Sequence, residues 1–184
     1  MTGSVFMSAN GGLLTDTLIT ATYLADGDLS PTATAFHLST GTYEGDLGAE
    51  YYFPANDLAQ MPAFGLSSAR YMADPQAYYS FGRAIVVADR KLMVVNSEGT
   101  VEVEHDIETP IYSLVHLGGH GYALISELAI SRLSPDFGSF QWTADMPDVI
   151  EDYRVRAGVL YVTLFGGIEY ELDVETGKLV KIDA

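Results

Sequence analysis

NSEGTV (residues 96–101) is a short polar turn between apolar runs, and its pattern returns twice. PDFGSF (135–140) and VETGKL (174–179) place Gly138 39 residues after Gly99 and Gly177 39 residues after Gly138. The same step links Ile111 to Ile150, Gly119 to Gly158, Tyr122 to Tyr161, and Val94 to Leu133 and Leu172. It also aligns the apolar cores AIVV (84–87), ALIS (123–126) and VTLF (162–165). One offset shared by turn glycines and core positions is the mark of an internal repeat.

Each repeat reads as four short strands. They are apolar, β-branched or aromatic runs bounded by Gly, Asp, Asn and Ser. The expected strands are 75–80, 83–88, 91–96 and 100–105; then 111–118, 120–126, 128–134 and 138–144; then 150–157, 159–165, 168–174 and 178–183. The hairpin after the second strand falls at Asp89-Arg90, Glu127-Leu128 and Gly166-Gly167. Phe140 and Trp142 alternate with Gln141 and Thr143, the period of a strand with one face inward. Both are expected to be buried, with Val86, Ile125 and Leu164 at matching depths.

An upstream repeat fits less regularly, with strands at 3–9, 17–25, 32–39 and 42–53. Gly41 lies 58 residues before Gly99, one repeat plus 19. The excess is read as an insertion, 54–73, with a short helix near Asn56–Met61 capped by Asn56.

Four antiparallel units of this length resemble β-propeller blades of the WD and quinoprotein kinds. No Trp-Asp closes a repeat and no Gly-His opens one, so no particular family is marked. The resemblance implies an all-β fold of about four four-stranded antiparallel blade-like repeats, forming a small β-propeller or a propeller-like arc. The repeats run about 3–53, 75–107, 111–148 and 150–184, in a single domain 1–184.

Charge and composition bound the function. The 184 residues are 48% apolar and 18% charged, a globular composition. Nine bases oppose 25 acids for a net charge of −16, and residues 1–69 hold no base. A nucleic-acid partner or an anionic membrane would be repelled. A basic protein partner would be attracted. No apolar run is long enough for a membrane helix. The first residues lack a signal-peptide pattern, and a cytoplasmic or virion setting is expected. With no cysteine, disulfides, zinc–thiolate sites and thiol catalysis are all excluded.

Candidate chemistry is sparse. HLGGHG (116–121) holds two histidines among three glycines, but a strand follows it where a phosphate loop needs a helix. No ligand set completes His116 and His120, and Gly119 is read as a turn glycine with positive φ. DGDLS (26–30) begins like a calcium loop but lacks its later ligands. Glu102 with Glu104, and Glu169 with Glu171, read as solvated strand faces. No catalytic residue, metal or cofactor is expected.

The expected function is therefore a non-catalytic protein–protein interaction or assembly module, such as a virion or tail component, binding a protein partner or sister subunits. A small-molecule or glycan-binding propeller, a hydrolase using a central pocket, and an acidic toxin-neutralising protein are the alternatives. The expected partner surface is Tyr51, Tyr52 and Phe53 with Leu58, Met61, Phe64, Leu66, Tyr71 and Met72; the alternative is that this segment packs back over its own blades. These residues are aromatic, Leu and Met, with few charges around them, the composition of interface cores.

Overall fold

The computed structural model describes residues 6–7, 13–14, 17–20, 22–24, 34–41, 48–69, 74–80, 82–156 and 159–182. The chain divides into two compact units, Met1–Glu108 and Thr109–Ala184. It is all-β: among the described residues the only helical piece is a three-residue 3-10 turn, Gly118–His120.

In the first unit, β1 (Phe6–Met7) pairs with β2 (Leu13–Leu14). β3 (Thr17–Thr20) and β4 (Thr22–Leu24) are consecutive yet enter different sheets. β4 joins β5 (Phe36–Ser39), β6 (Gly48–Phe53) and β7 (Phe64–Ala69) in the order β4-β6-β7-β5, with β5 parallel to β7. β8 (Gln76–Ser80), β9 (Arg83–Ala88), β10 (Lys91–Asn96) and β11 (Val101–Asp106) form a meander, and β3 adds beside β8.

The second unit holds two meanders. One is β12 (Ile111–His116), β13 (Tyr122–Ser126), β14 (Ala129–Leu133) and β15 (Phe140–Asp145). The other is β16 (Ile150–Arg156), β17 (Val159–Leu164), β18 (Ile168–Leu172) and β19 (Leu179–Lys181). Among the described residues every sheet is open, as a blade is, and none closes into a barrel.

The 39-residue step is physical. Val86, Ile125 and Leu164 are 0%, 0% and 1% exposed. Val94, Leu133 and Leu172 are equally buried. Irregularities repeat as well: the ladder shifts register just after Ile111 and again just after Ile150, and at Val94 and again at Leu133. A bulge re-aims a strand, so a repeated bulge keeps successive sheets alike.

The turn glycines serve two purposes. Gly99 and Gly177 have φ of +85° and +72°, which an L side chain reaches only at a cost. A Cβ on Gly99 would also lie 2.6 Å from Phe36 Cγ, and one on Gly177 would lie 2.8 Å from Trp142 Cδ2. The turn is thus the seat for an aromatic ring from the preceding sheet. At Gly138 the positive φ falls on Phe137 instead, and a Cβ would meet only Asp136.

The first unit's core is aromatic. Phe64 stacks between Phe36 and Phe53, with ring centroids 5.1 and 4.7 Å away, and Tyr79 lies 6.2 Å off. The Tyr79 hydroxyl donates to the Pro54 carbonyl at 2.7 Å, and burial holds that phenol well above its ordinary range. In the second unit, Ile125, Ile130, Ala144, Leu160, Val162, Leu164 and Leu172 form the core between the two meanders.

Four expectations need correction. The first repeat is not a simple meander, because the 17–25 run splits between two sheets. The segment read as an insertion supplies β7, a central strand. Its period-two pattern is hidden because the outward positions are Gly65 and Ser67, poor strand formers that the neighbouring strands hold in place. Asn56 caps a tight turn rather than a helix. Its Oδ1 accepts from the Ala59 N–H at 3.1 Å, Asn56 and Met61 exchange backbone bonds, and Gln60 takes φ +54°. Finally, Trp142 and Phe140 are only partly buried.

Candidate functional site

The first unit consumes most of the residues expected to face a partner. Tyr51, Phe53, Met61, Phe64 and Leu66 are 2% exposed or less and pack in their own core. Tyr52 is half-buried. Leu58, at the tip of the Asn56 turn, is 76% exposed. Tyr71 and Met72 lie outside the described residues, as does the 26–30 segment.

A different exposed apolar region lies at one end of the second unit, built by backbone bonds. The Glu127 N–H donates to the Pro110 carbonyl, and the Met146 N–H to Leu128. The Ile150 N–H donates to Glu127, and the Phe165 N–H to Val149. These bonds tie the β13–β14 hairpin, the β15–β16 connection and the β17–β18 hairpin into one frame. The frame carries Phe165 at 64% exposure, Ile168 at 41% and Leu128 at 40%. Pro147 is exposed beside them.

Acids surround that frame. Asp145, Asp148, Glu151 and Asp152 are exposed, and Glu127 is half-buried. No Lys or Arg occurs in 109–131, 133–153 or 157–177. Tyr112 senses the field: burial, and then the Glu127 carboxylate, hold its phenol above the ordinary range. The signal available in sequence was FGGI (165–168). A Gly-Gly turn explains itself, but two large apolar side chains flanking it in water do not.

The outer face of the β4-β6-β7-β5 sheet holds a polar cluster that sequence reading missed. The Ser67 hydroxyl donates to Glu50 Oε1 at 2.6 Å, and His37 Nε2 lies 2.7 Å from Ser67 Oγ and 3.4 Å from Glu50 Oε2. Gly65 makes room for it: a Cβ there would sit 2.3 Å from His37 Nδ1. The three residues are 30 and 17 positions apart and meet only through strand pairing. The cluster resembles a nucleophile triad in composition and not in wiring. The serine's one proton goes to Glu50, so His37 Nε2 must donate to the hydroxyl. A triad needs that nitrogen to accept, with the carboxylate on the other one.

The remaining motifs have structural explanations. In HLGGHG the positive φ falls on Gly118 and Gly121, not on Gly119. The His116 ring packs 5.0 Å from Tyr122, and His120 lies 3.9 Å from a Glu175 carboxylate oxygen. Among the described residues no three His, Cys, Asp or Glu side chains gather for a metal. Glu102 pairs with Arg83 at 2.9 Å, Glu104 with Lys91, and Glu169 with Arg154 at 2.8 Å. Among the described residues no helix is long and apolar enough to cross a membrane.

No family model and no curated protein matches the sequence. Among solved structures, the chain is similar to a protein of unknown function from Bacteroides caccae. The identity is 14% and the TM-score 0.43, over 75% of this chain. The match spans only 54% of that protein's length.

Proposed function

We propose that this protein is a non-catalytic interaction module that holds a protein partner or a sister subunit on the hairpin end of its second unit. The observation that carries the reading is the exposure of Phe165, Ile168 and Leu128 together on a hydrogen-bonded frame. Large apolar side chains grouped in water within a polar rim mark contact surfaces. The geometry is supplied by hairpins and backbone bonds, so little ordering cost would fall on association.

The hydrolytic alternative rests on the Ser67 cluster. Its proton arrangement leaves the hydroxyl hydrogen-bonded on both sides rather than activated.

The test is the double substitution Phe165→Ser with Ile168→Ser. Both positions are exposed, so the melting temperature is expected to stay close to wild type. Association with a partner purified on the wild-type protein, or self-association if that is what the wild type does, is expected to fall at least tenfold. Unchanged association would sink the reading.

A further inference from the structure

We infer that the partner segment seated on this end is a cationic polypeptide stretch that also presents apolar side chains. This inference rests on the interaction reading above and adds the chemistry of what is bound. Two independent features meet on one frame. Phe165, Ile168 and Leu128 need apolar cover. The acids Asp145, Asp148 and Glu151, exposed in and beside the connection that joins those hairpins, face no basic residue from 109–131 or 133–153.

Two of the second unit's cations are held by its own groups. Arg154 is paired with Glu169 and lies over the Tyr161 ring, and Arg132 donates to the carbonyls of His120 and Val174. Burying the apolar centre against a neutral or acidic partner would bring these carboxylates to an interface rim without counter-charge. Like charges juxtaposed there are costly, and opposite charges steer the encounter. A nucleic acid meets the same repulsion and is excluded by it. Lys and Arg stems with interspersed Leu, Phe or Met satisfy both halves, since such side chains cover apolar surface while keeping their charge at the edge.

The experiment uses the full chain and three fluorescent peptides of equal length: alternating Arg and Leu, alternating Arg and Ser, and alternating Glu and Leu. The Arg-Leu peptide is expected to bind at least tenfold more tightly than either control. Its affinity should fall severalfold between low and physiological salt, as charge pairs at a rim are screened. Phe165→Ser with Ile168→Ser, and separately Asp145→Asn with Asp148→Asn and Glu151→Gln, should each weaken it at least fivefold. Equal binding of the Arg-Ser peptide would show only the general attraction of an acidic chain, and would overturn the assignment. So would equal binding of the Glu-Leu peptide, or indifference of the Arg-Leu peptide to both variants. The interaction reading itself falls separately, if the Phe165 and Ile168 variant keeps its partner or self-association.

Discussion

Gly177 carries two constraints at once, a left-handed backbone and an indole ring where a Cβ would be. Gly138, at the same point of the repeat, carries neither. Gly177→Ala is therefore expected to cost about 2 kcal/mol or more, of which 1–2 is the backbone alone. Gly138→Ala should cost less than about 1 kcal/mol. Urea midpoints of the two variants check this, and equal losses would show that the repeat glycines act alike. The side chain that opens each turn also matters. Asp173 Oδ1 accepts from the Glu175 and Thr176 N–H groups, and Asp136 accepts from the Ser134 hydroxyl and the Gly138 N–H. These bonds hold both carboxylates below their ordinary value of 3.8. A depressed folded pKa gives stabilisation that is complete above the ordinary carboxylate range and lost as pH falls through the folded value. Asp173→Asn keeps the acceptor and removes the titration. Its stability should thus fall less than wild type between pH 6 and pH 3, as read by urea midpoints at the two pH values.

β7 shows how an element with weak local preference becomes central. It pairs with β6 along six residues and with β5 along four, and sends Phe64 and Leu66 into the core. Replacing 55–72 with a short Gly-Ser bridge removes that strand, and the expected outcome is unfolding of the first unit, visible as lost dispersion of its amide resonances. Phe64→Ala alone should cost about 3–5 kcal/mol, as large buried aromatics do. Trp142, on β15, works from a less buried place. Its indole N–H donates to the Val174 carbonyl at 3.3 Å, and its ring fills the space over Gly177. Trp142→Ala should cost about 3 kcal/mol, the lower end for such truncations. A loss under about 1 kcal/mol would show that the ring does not hold the second unit's two sheets together.

Over the whole molecule, charge is the dominant asymmetry. Among the described residues Arg83, Lys91 and Arg154 are matched to Glu102, Glu104 and Glu169, and nine bases are too few to pair one-to-one with most of the 25 acids. Such surface pairs contribute little individually, whereas a net charge of −16 repels itself across the compact state. Raising sodium chloride from low to physiological concentration should therefore raise the melting temperature, because screening relieves more repulsion than it removes attraction. A fall in melting temperature would mean that the ion pairs outweigh the repulsion.

The all-β class and the strands of 75–184 are legible in the residues alone, because strand period, turn chemistry and core position recur there at one step and reinforce one another. Val94, Leu133 and Leu172 match by spacing alone, and they share one depth. Residues 1–73 were less legible. Gly65, Ser67 and Ser68 carry little intrinsic preference, and a parallel pairing of β5 with β7 leaves no local turn to announce it. The folded structure places Phe64 and Leu66 in a core, a choice that composition leaves open because a core strand and an interface loop share the same apolar and aromatic residues. It alone brought His37, Glu50 and Ser67 together, because strand pairing joins positions that no sequence spacing connects. It alone left Phe165 and Ile168 in water, since exposure depends on what packs over a hairpin and not on the residues within it.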